Sequence, residues 1–228
     1  MEIHDSAKAR VPIDNGARLR VTEIFYSLQG ETRTVGLPTV FVRLTGCPLR
    51  CGYCDTPYAF QGGEWMSYAQ ILSTVNDYAP RYVTVTGGEP LAQPGCILLL
   101  RQLCDAGYEV SLETSGAMDI REVDPRVVVV MDLKTPGSGE SERNLYDNLA
   151  LLRPKDQVKF VICDRDDYDW ACYTVRQYEL DQRCEVLFSP EHENMPAVQL
   201  ADWVLADGIP VRVQIQLHKY LWGNVQGH

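Results

Sequence analysis

Three cysteines, Cys47, Cys51 and Cys54, fall in one short stretch that also holds Gly46, Pro48 and Gly52. Glycine and proline impose a tight, non-helical path that can fold the three thiols towards one point. Thiolates gathered in this way repel one another, and a bound metal or cluster is the natural resolution. Structural zinc takes four protein ligands, usually in two separated pairs, but no second Cys-x-x-Cys exists here. Cys96, Cys104, Cys163, Cys172 and Cys184 are scattered singly and read as small core or surface residues. Three thiolates suit a [4Fe–4S] cluster with one iron left open to another molecule. Zinc is the rival occupant, and a disulfide would leave one thiol over.

Other reactive residues recur at one kind of position. Thr86, Gly87, Gly88, Glu89 and Pro90 follow an apolar run and offer exposed backbone groups and a carboxylate suited to a cationic amine. The same residues also read as a plain strand-to-helix turn closed by proline. Glu113, Asp132, Lys134 and Ser189 likewise end apolar runs, where charges such as Glu113 and Lys134 are costly to bury unless paired or ligand-bound. Arg43 lies inside an apolar run and so requires an anion, either a substrate carboxylate or a structural acid. Asp55 and Thr56 are hard oxygen donors suited to Mg²⁺, or else caps of the cysteine loop. His218 and Lys219 follow the last run and can reach the same face, whereas His4, His192 and His228 have no partner spacing and read as surface.

The elements that must position these residues alternate. Residues 20–28, 39–44, 81–86, 108–112, 126–131, 157–162, 185–188 and 211–216 read as strands, and 67–79, 94–106, 142–152, 167–179 and 197–206 as helices. Ser67 is the expected N-cap of the first helix and Pro80 its stop. Alternation of this kind implies an α/β fold with parallel strands and right-handed crossovers. A full eight-stranded barrel takes about 250 residues. With 228 residues and about six strand–helix units, an incomplete TIM-type barrel is expected. An open doubly wound sheet is the alternative. In either, the cysteine loop, residues 86–90, 113–116 and 132–134, and Ser189 share the C-terminal face of the sheet around one pocket. A single domain over 19–228 is expected, behind a flexible polar lead-in at 1–18.

The formal net charge of −10 argues against a nucleic-acid backbone as the main partner and leaves a small molecule as the expected substrate. A 45% hydrophobic, 23% charged composition is that of a globular chain. No apolar run has the length of a membrane span, and no basic-then-apolar signal pattern opens the sequence. Eight cysteines without secretory features point to a reducing cytoplasm.

The three-cysteine spacing, with Tyr53 in the aromatic place before the last cysteine, resembles the radical S-adenosylmethionine (SAM) enzymes. Residues 25–31, 41–47, 51–56, 86–90 and 113–116 together resemble the 7-carboxy-7-deazaguanine synthases, a likeness running from about residue 20 to 223. The resemblance implies a reaction on 6-carboxy-5,6,7,8-tetrahydropterin. A SAM-derived radical takes a hydrogen from C6, the ring contracts, ammonia leaves and SAM is regenerated; the product feeds 7-deazapurine (queuosine precursor) synthesis. It also implies roles for individual residues. Cys47, Cys51 and Cys54 hold the cluster; Leu28, Gln29, Gly30, Arg43 and Thr86 bind substrate, with Arg43 on its carboxylate; Thr56 binds Mg²⁺. Tyr53, Gly88, Glu89, Asp132, Leu133, Lys134 and Ser189 are the residues implied for SAM. A homodimer and a flavodoxin as electron donor are the family expectations. Some members place their C-terminus at the substrate, whereas this chain continues past Gly223. Two rival readings are a radical SAM activase that places a glycyl radical on a partner protein, and an iron–sulfur or zinc-binding protein without catalysis.

Overall fold

Each central strand carries two sets of side chains, and the fold sorts them by face. On β2 (Pro38–Leu44), Val40, Val42 and Leu44 enter the main hydrophobic core, while Phe41 and Arg43 line a cavity on the opposite face. The same period-two alternation holds on β4 (Tyr82–Gly87), β5 (Glu109–Thr114), β6 (Val128–Asp132), β7 (Gln157–Ile162) and β8 (Glu185–Pro190). Val83 and Val85, Val129 and Met131, and Val158, Phe160 and Ile162 face the core. Thr86, Glu113, Val130, Asp132, Lys159 and Ser189 face the cavity. Full burial of each core side chain is worth about 1.5–3 kcal/mol, which fixes the register against a one-residue slip.

The computed structural model describes residues 18–227. Most of the expected lead-in, with His4, lies outside the described residues, as does His228. Arg18, counted in that lead-in, is instead the first residue of strand β1 (Arg18–Leu28). The remaining strands are β3 (Glu64–Ser67) and β9 (Arg212–Val213); the helices are α1 (Tyr68–Asp77), α2 (Cys96–Asp105), α3 (Arg165–Tyr178), α4 (Leu180–Arg183), α5 (Ala197–Asp207) and α6 (Leu217–Trp222).

The nine strands form one sheet in the order β3-β1-β2-β4-β5-β6-β7-β8-β9. From β2 to β9 all neighbours are parallel and follow chain order without reversal. A doubly wound sheet reverses its order at a switch point, so that alternative is excluded. Winding in one direction puts the crossovers on one face and leaves the other as an inner wall. The edge strands β3 and β9 do not pair, and the barrel is incomplete as expected.

Several elements differ from the expectation for identifiable reasons. β1 runs antiparallel to β2 and β3, so the sheet is not wholly parallel, and β3 was not foreseen. Residues 142–152 form two 3₁₀ turns, Ser141–Arg143 and Tyr146–Leu151, rather than a helix. There the Asn144 amide bonds both backbone groups of Lys134, and the Asn148 amide bonds Ile120, Gly116 and Met118, so both side chains tie this segment to distant backbone instead of leaving it free to form a helix. The expected last strand shrinks to two residues because the chain leaves β8 for the β1–β2 loop: the Leu217 amide donates to Gly30 O at 2.9 Å. The α1 start was foreseen, with Ser67 and Gln70 forming a reciprocal capping box.

Candidate functional site

The cysteine loop leaves the C-terminal end of β2 and is held mainly by backbone groups. Gly46 takes φ +100°, a region that favours glycine, and its amide donates to Ala59 O at 2.8 Å. The Gly52 amide donates to Ser138 O at 3.0 Å and the Arg50 amide to Glu140 Oε1 at 2.6 Å, so the segment after β6 underpins the loop. Gly88 lies against this loop so closely that a Cβ would stand 2.5 Å from Gly46 O and 2.7 Å from Cys47 Cβ. Glycine is therefore obligatory at Gly88 for packing.

Cys47, Cys51 and Cys54 line one cavity, and none forms a disulfide. Burial raises the Cys47 and Cys51 thiols above the ordinary range; repulsion from neighbouring thiols adds to this, while Lys134 opposes it. Three soft sulfur donors lining one cavity beside a glycine cradle fit an iron–sulfur cluster. Among the described residues no three His, Cys, Asp or Glu side chains are placed for a single metal ion. Of the other cysteines, Cys96, Cys172 and Cys184 are buried and Cys104 half-buried. Cys163 borders an adjoining cavity with its thiol pushed up to about 12 by burial and by Asp167.

The floor of the cavity comes from the other end of the sheet. Because β1 is antiparallel, Leu28 pairs with Pro38 at the start of β2, and the β1–β2 loop then crosses the inner face. Gln29 Nε2 donates to Thr84 Oγ1 at 3.2 Å and to Glu113 Oε1 at 3.3 Å. Thr86 donates to Glu113 Oε2 at 2.9 Å. Burial raises the Glu113 carboxyl above its usual range, and Lys159, Thr86 and Arg43 only partly oppose it. Further along the loop, Lys159 Nζ lies 2.7 Å from Glu31 Oε2 and 3.4 Å from Asp132 Oδ2, and Lys134 Nζ lies 3.1 Å from the same Asp132 oxygen. Burial alone would lower both ammonium groups, but Glu31 and Asp132 hold Lys159 up, and Asp132 holds up Lys134. Asp132, which burial would raise, is held low by Lys134 and Lys159.

Arg43 meets a structural acid. Its Nε donates to Glu23 Oε1 at 2.7 Å, and the guanidinium lies 5.8 Å from the Phe25 ring centroid and 5.9 Å from that of Tyr58. The bond uses Nε, so the terminal nitrogens remain suited to a second carboxylate. Thr56 Oγ1 donates to Asp55 Oδ1 at 2.7 Å, and Lys219 Nζ holds Asp55 Oδ2 at 2.9 Å. His218 packs against Gly30, leaving no room for a Cβ there, and burial lowers its pKa.

The structure brings Leu28, Gln29, Gly30, Arg43, Tyr53, Thr56, Thr86, Gly88, Asp132, Lys134 and Ser189 to this cavity together with the three cysteines. His218 and Lys219 reach it as expected; His192 is exposed as expected but stands at its rim. Two residues expected at SAM are elsewhere. Glu89 is fully buried beneath the loop, accepting bonds from the Leu91 amide, Thr114 Oγ1, and the Ser115 amide and hydroxyl. It caps a proline-led 3₁₀ turn, which directs its carboxylate to β5 and not to a ligand amine. Leu133 enters the core, because alternation turns it away from the face that Asp132 and Lys134 share. Lys159 and Glu23 went unremarked in the sequence. A lysine within an apolar strand was the available signal for Lys159, as an arginine was for Arg43.

The radical SAM superfamily model matches residues 41–131, the span from β2 through β6 that carries the cysteine loop. A 7-carboxy-7-deazaguanine synthase from Chlorobaculum tepidum is 43% identical over 209 residues, covering 90% of this chain and 95% of its own. The chain belongs to the 7-carboxy-7-deazaguanine synthase family. A second synthase, from Koribacter versatilis, is 41% identical, covering 90% of this chain and 97% of its own. The crystal structure of QueE from Escherichia coli superposes with a TM-score of 0.71 at 23% identity, covering 88% of this chain and 95% of that one, a likeness of fold. These relatives support the synthase reading over the glycyl-radical activase and the non-catalytic metal protein.

Proposed function

We propose that this chain converts 6-carboxy-5,6,7,8-tetrahydropterin to 7-carboxy-7-deazaguanine with loss of ammonia, as a radical SAM carbon–nitrogen lyase supplying 7-deazapurine synthesis. The observation that carries this reading is the convergence of three free thiols, Arg43 and the Gln29–Thr86–Glu113 cluster on one cavity in a member of this family.

Cys47, Cys51 and Cys54 would hold a [4Fe–4S] cluster, which together with SAM supplies a carbon-centred radical able to take hydrogen from an unactivated position. Tyr53, Gly88, Asp132, Lys134 and Ser189 line the SAM side. Gly88 lets the end of β4 pack directly against the cysteine loop, while Asp132 and Lys134 offer one charge of each sign to an amino-acid moiety. Arg43 binds the substrate carboxylate through its terminal nitrogens, with Glu23 fixing the guanidinium plane. Leu28, Gln29, Gly30 and Thr86 hold the ring; Glu113, locked by Gln29 and Thr86, meets its N–H groups. Thr56 donates its hydroxyl hydrogen bond to Asp55, so its oxygen lone pairs remain for Mg²⁺; Asp55, already held by Lys219, orients Thr56. His218, whose pKa burial lowers, closes the floor against Gly30.

Beyond the site, a homodimer, a flavodoxin as electron donor and a cytoplasmic location complete the proposal. Among the described residues no helix is long and apolar enough to cross a membrane, and the net charge of −10 disfavours nucleic acid as a partner.

The test is an anaerobic assay of cluster-reconstituted protein with SAM, Mg²⁺, reductant and the pterin, read by mass spectrometry. The expected product is lighter by one ammonia, with SAM not consumed in proportion. SAM cleavage with unchanged pterin would move the reading to another substrate. An intact cluster without any SAM cleavage would remove the enzyme reading.

A further inference from the structure

Lys159 projects from β7 into the middle of the inner wall and touches two carboxylates that belong to different parts of the site. Glu31 comes from the β1–β2 loop, two residues beyond Gln29, and Asp132 comes from the C-terminal end of β6. The three side chains are 14%, 11% and 19% exposed, low values for charged groups. Each carboxylate gives one oxygen to the ammonium, Glu31 Oε2 at 2.7 Å and Asp132 Oδ2 at 3.4 Å. The other oxygens, Glu31 Oε1 and Asp132 Oδ1, are buried without a hydrogen-bond partner among the described residues. A buried acceptor without a protein partner is costly and calls for a donor from outside the chain, a ligand N–H or an ordered water.

Charge and sequence distance add to this. With Lys134 on Asp132, the cluster alternates Glu31, Lys159, Asp132, Lys134 and is neutral as a set. Removing Lys159 would leave Glu31 and Asp132 with a single cation between them and Glu113 close by, since Lys159 also favours ionised Glu113. Glu31 and Lys159 are 128 residues apart, so their contact ties the loop that crosses the barrel to the far wall.

We infer that Lys159 is a positioning residue that locks the substrate loop to the SAM strand, turning the free oxygens of Glu31 and Asp132 towards ligand N–H donors. One ammonium thus serves both halves of the site. The inference rests on the synthase reading for the identity of the substrate, but its SAM arm stands alone.

The test uses cluster-reconstituted Lys159→Met, Lys159→Arg, Glu31→Gln and the Glu31→Gln/Lys159→Met double variant. SAM affinity is measured by calorimetry without substrate, KM and kcat with the pterin, and folding by thermal melting. Lys159→Met is expected to weaken SAM binding and raise KM by about tenfold to 100-fold each, the usual cost of losing an orienting partner. Lys159→Arg keeps the charge but not the compact ammonium, and is expected to raise KM about tenfold with the fold intact. The double variant should be at least about fivefold less impaired than the product of the two single effects, because the partners act as a pair. Wild-type-like SAM affinity and KM in Lys159→Arg would overturn the inference, showing that charge alone matters; this holds even if Lys159→Met does not fold. Additivity in the double variant would overturn it as well. A wild type that binds SAM but leaves the pterin unchanged would remove the synthase reading, while SAM affinities of the variants would still decide the role of Lys159.

Discussion

The cysteine loop and the charged cage around Lys159 lie in the same cavity but are built in opposite ways. The loop is contiguous, and its shape comes from glycine conformations and backbone bonds such as Gly46 to Ala59 and Gly52 to Ser138. The cage is made of side chains on separate elements, with Gln29 bonded to Glu113 84 residues away and Glu31 to Lys159 at 128. A loop fixed mainly through its backbone groups tolerates side-chain changes that leave the chain path alone. A cage fixed by charge pairs does not, because each partner removed strands another in a low-dielectric setting.

The comparison can be broken in order of expected effect. Cys51→Ala removes a ligand from the loop without altering the path of its backbone, and should abolish turnover and cluster absorbance while the melting temperature of the metal-free protein stays near wild type. An unfolded variant would show that the thiol is part of the packing. Arg43→Lys keeps the charge beside Glu23 but loses the planar fork. The loss of one charge-assisted bond, about 1.5–3 kcal/mol, should raise KM for the pterin roughly 10- to 150-fold with little change in SAM affinity. An unchanged KM would leave Arg43 as a partner of Glu23 alone.

Glu89→Gln sharpens the contrast from beneath the loop. Its carboxylate accepts only from Leu91, Thr114 and Ser115 among the described residues. Losing one such bond, worth about 1.5–3 kcal/mol, should lower the melting temperature by roughly 3–12 °C in a chain of this size. SAM affinity should hold. A selective loss of SAM binding at unchanged stability would return Glu89 to the ligand.

The smallest effect concerns Glu113, whose carboxyl is raised by burial in the folded state. A raised acid binds its proton more tightly folded than unfolded, so its contribution is fully present below the unfolded value. It is lost as pH rises through the folded value. Relative to Glu113→Gln, wild type should therefore lose stability as pH climbs from the ordinary glutamate range through the raised one. A melting-temperature difference that is flat with pH would refute this.

Much of the fold was legible because it rests on local pattern. The strand at Gln157–Ile162 and the N-cap at Ser67 follow from apolar patterning and short-range bonding, which a sequence displays directly. The region 142–152 was misread as helix because Asn144 and Asn148 bond to segments on other elements. Similarly, the antiparallel direction of β1 carries Gln29 and Glu31 to the cavity from the end opposite to the cysteines.

The sequence by itself determined the three-thiol motif, the polar residues at strand ends and the need of Arg43 for an anion, since each is a matter of residue type and spacing. Only the tertiary structure decided that Glu23 answers Arg43, that Glu89 turns inward, that Leu133 leaves the site flanked by Asp132 and Lys134, and that Lys159 joins two carboxylates. Those outcomes depend on which faces meet across a curved sheet. Electrostatic pairing acts over a few ångströms of space, whatever the distance along the chain.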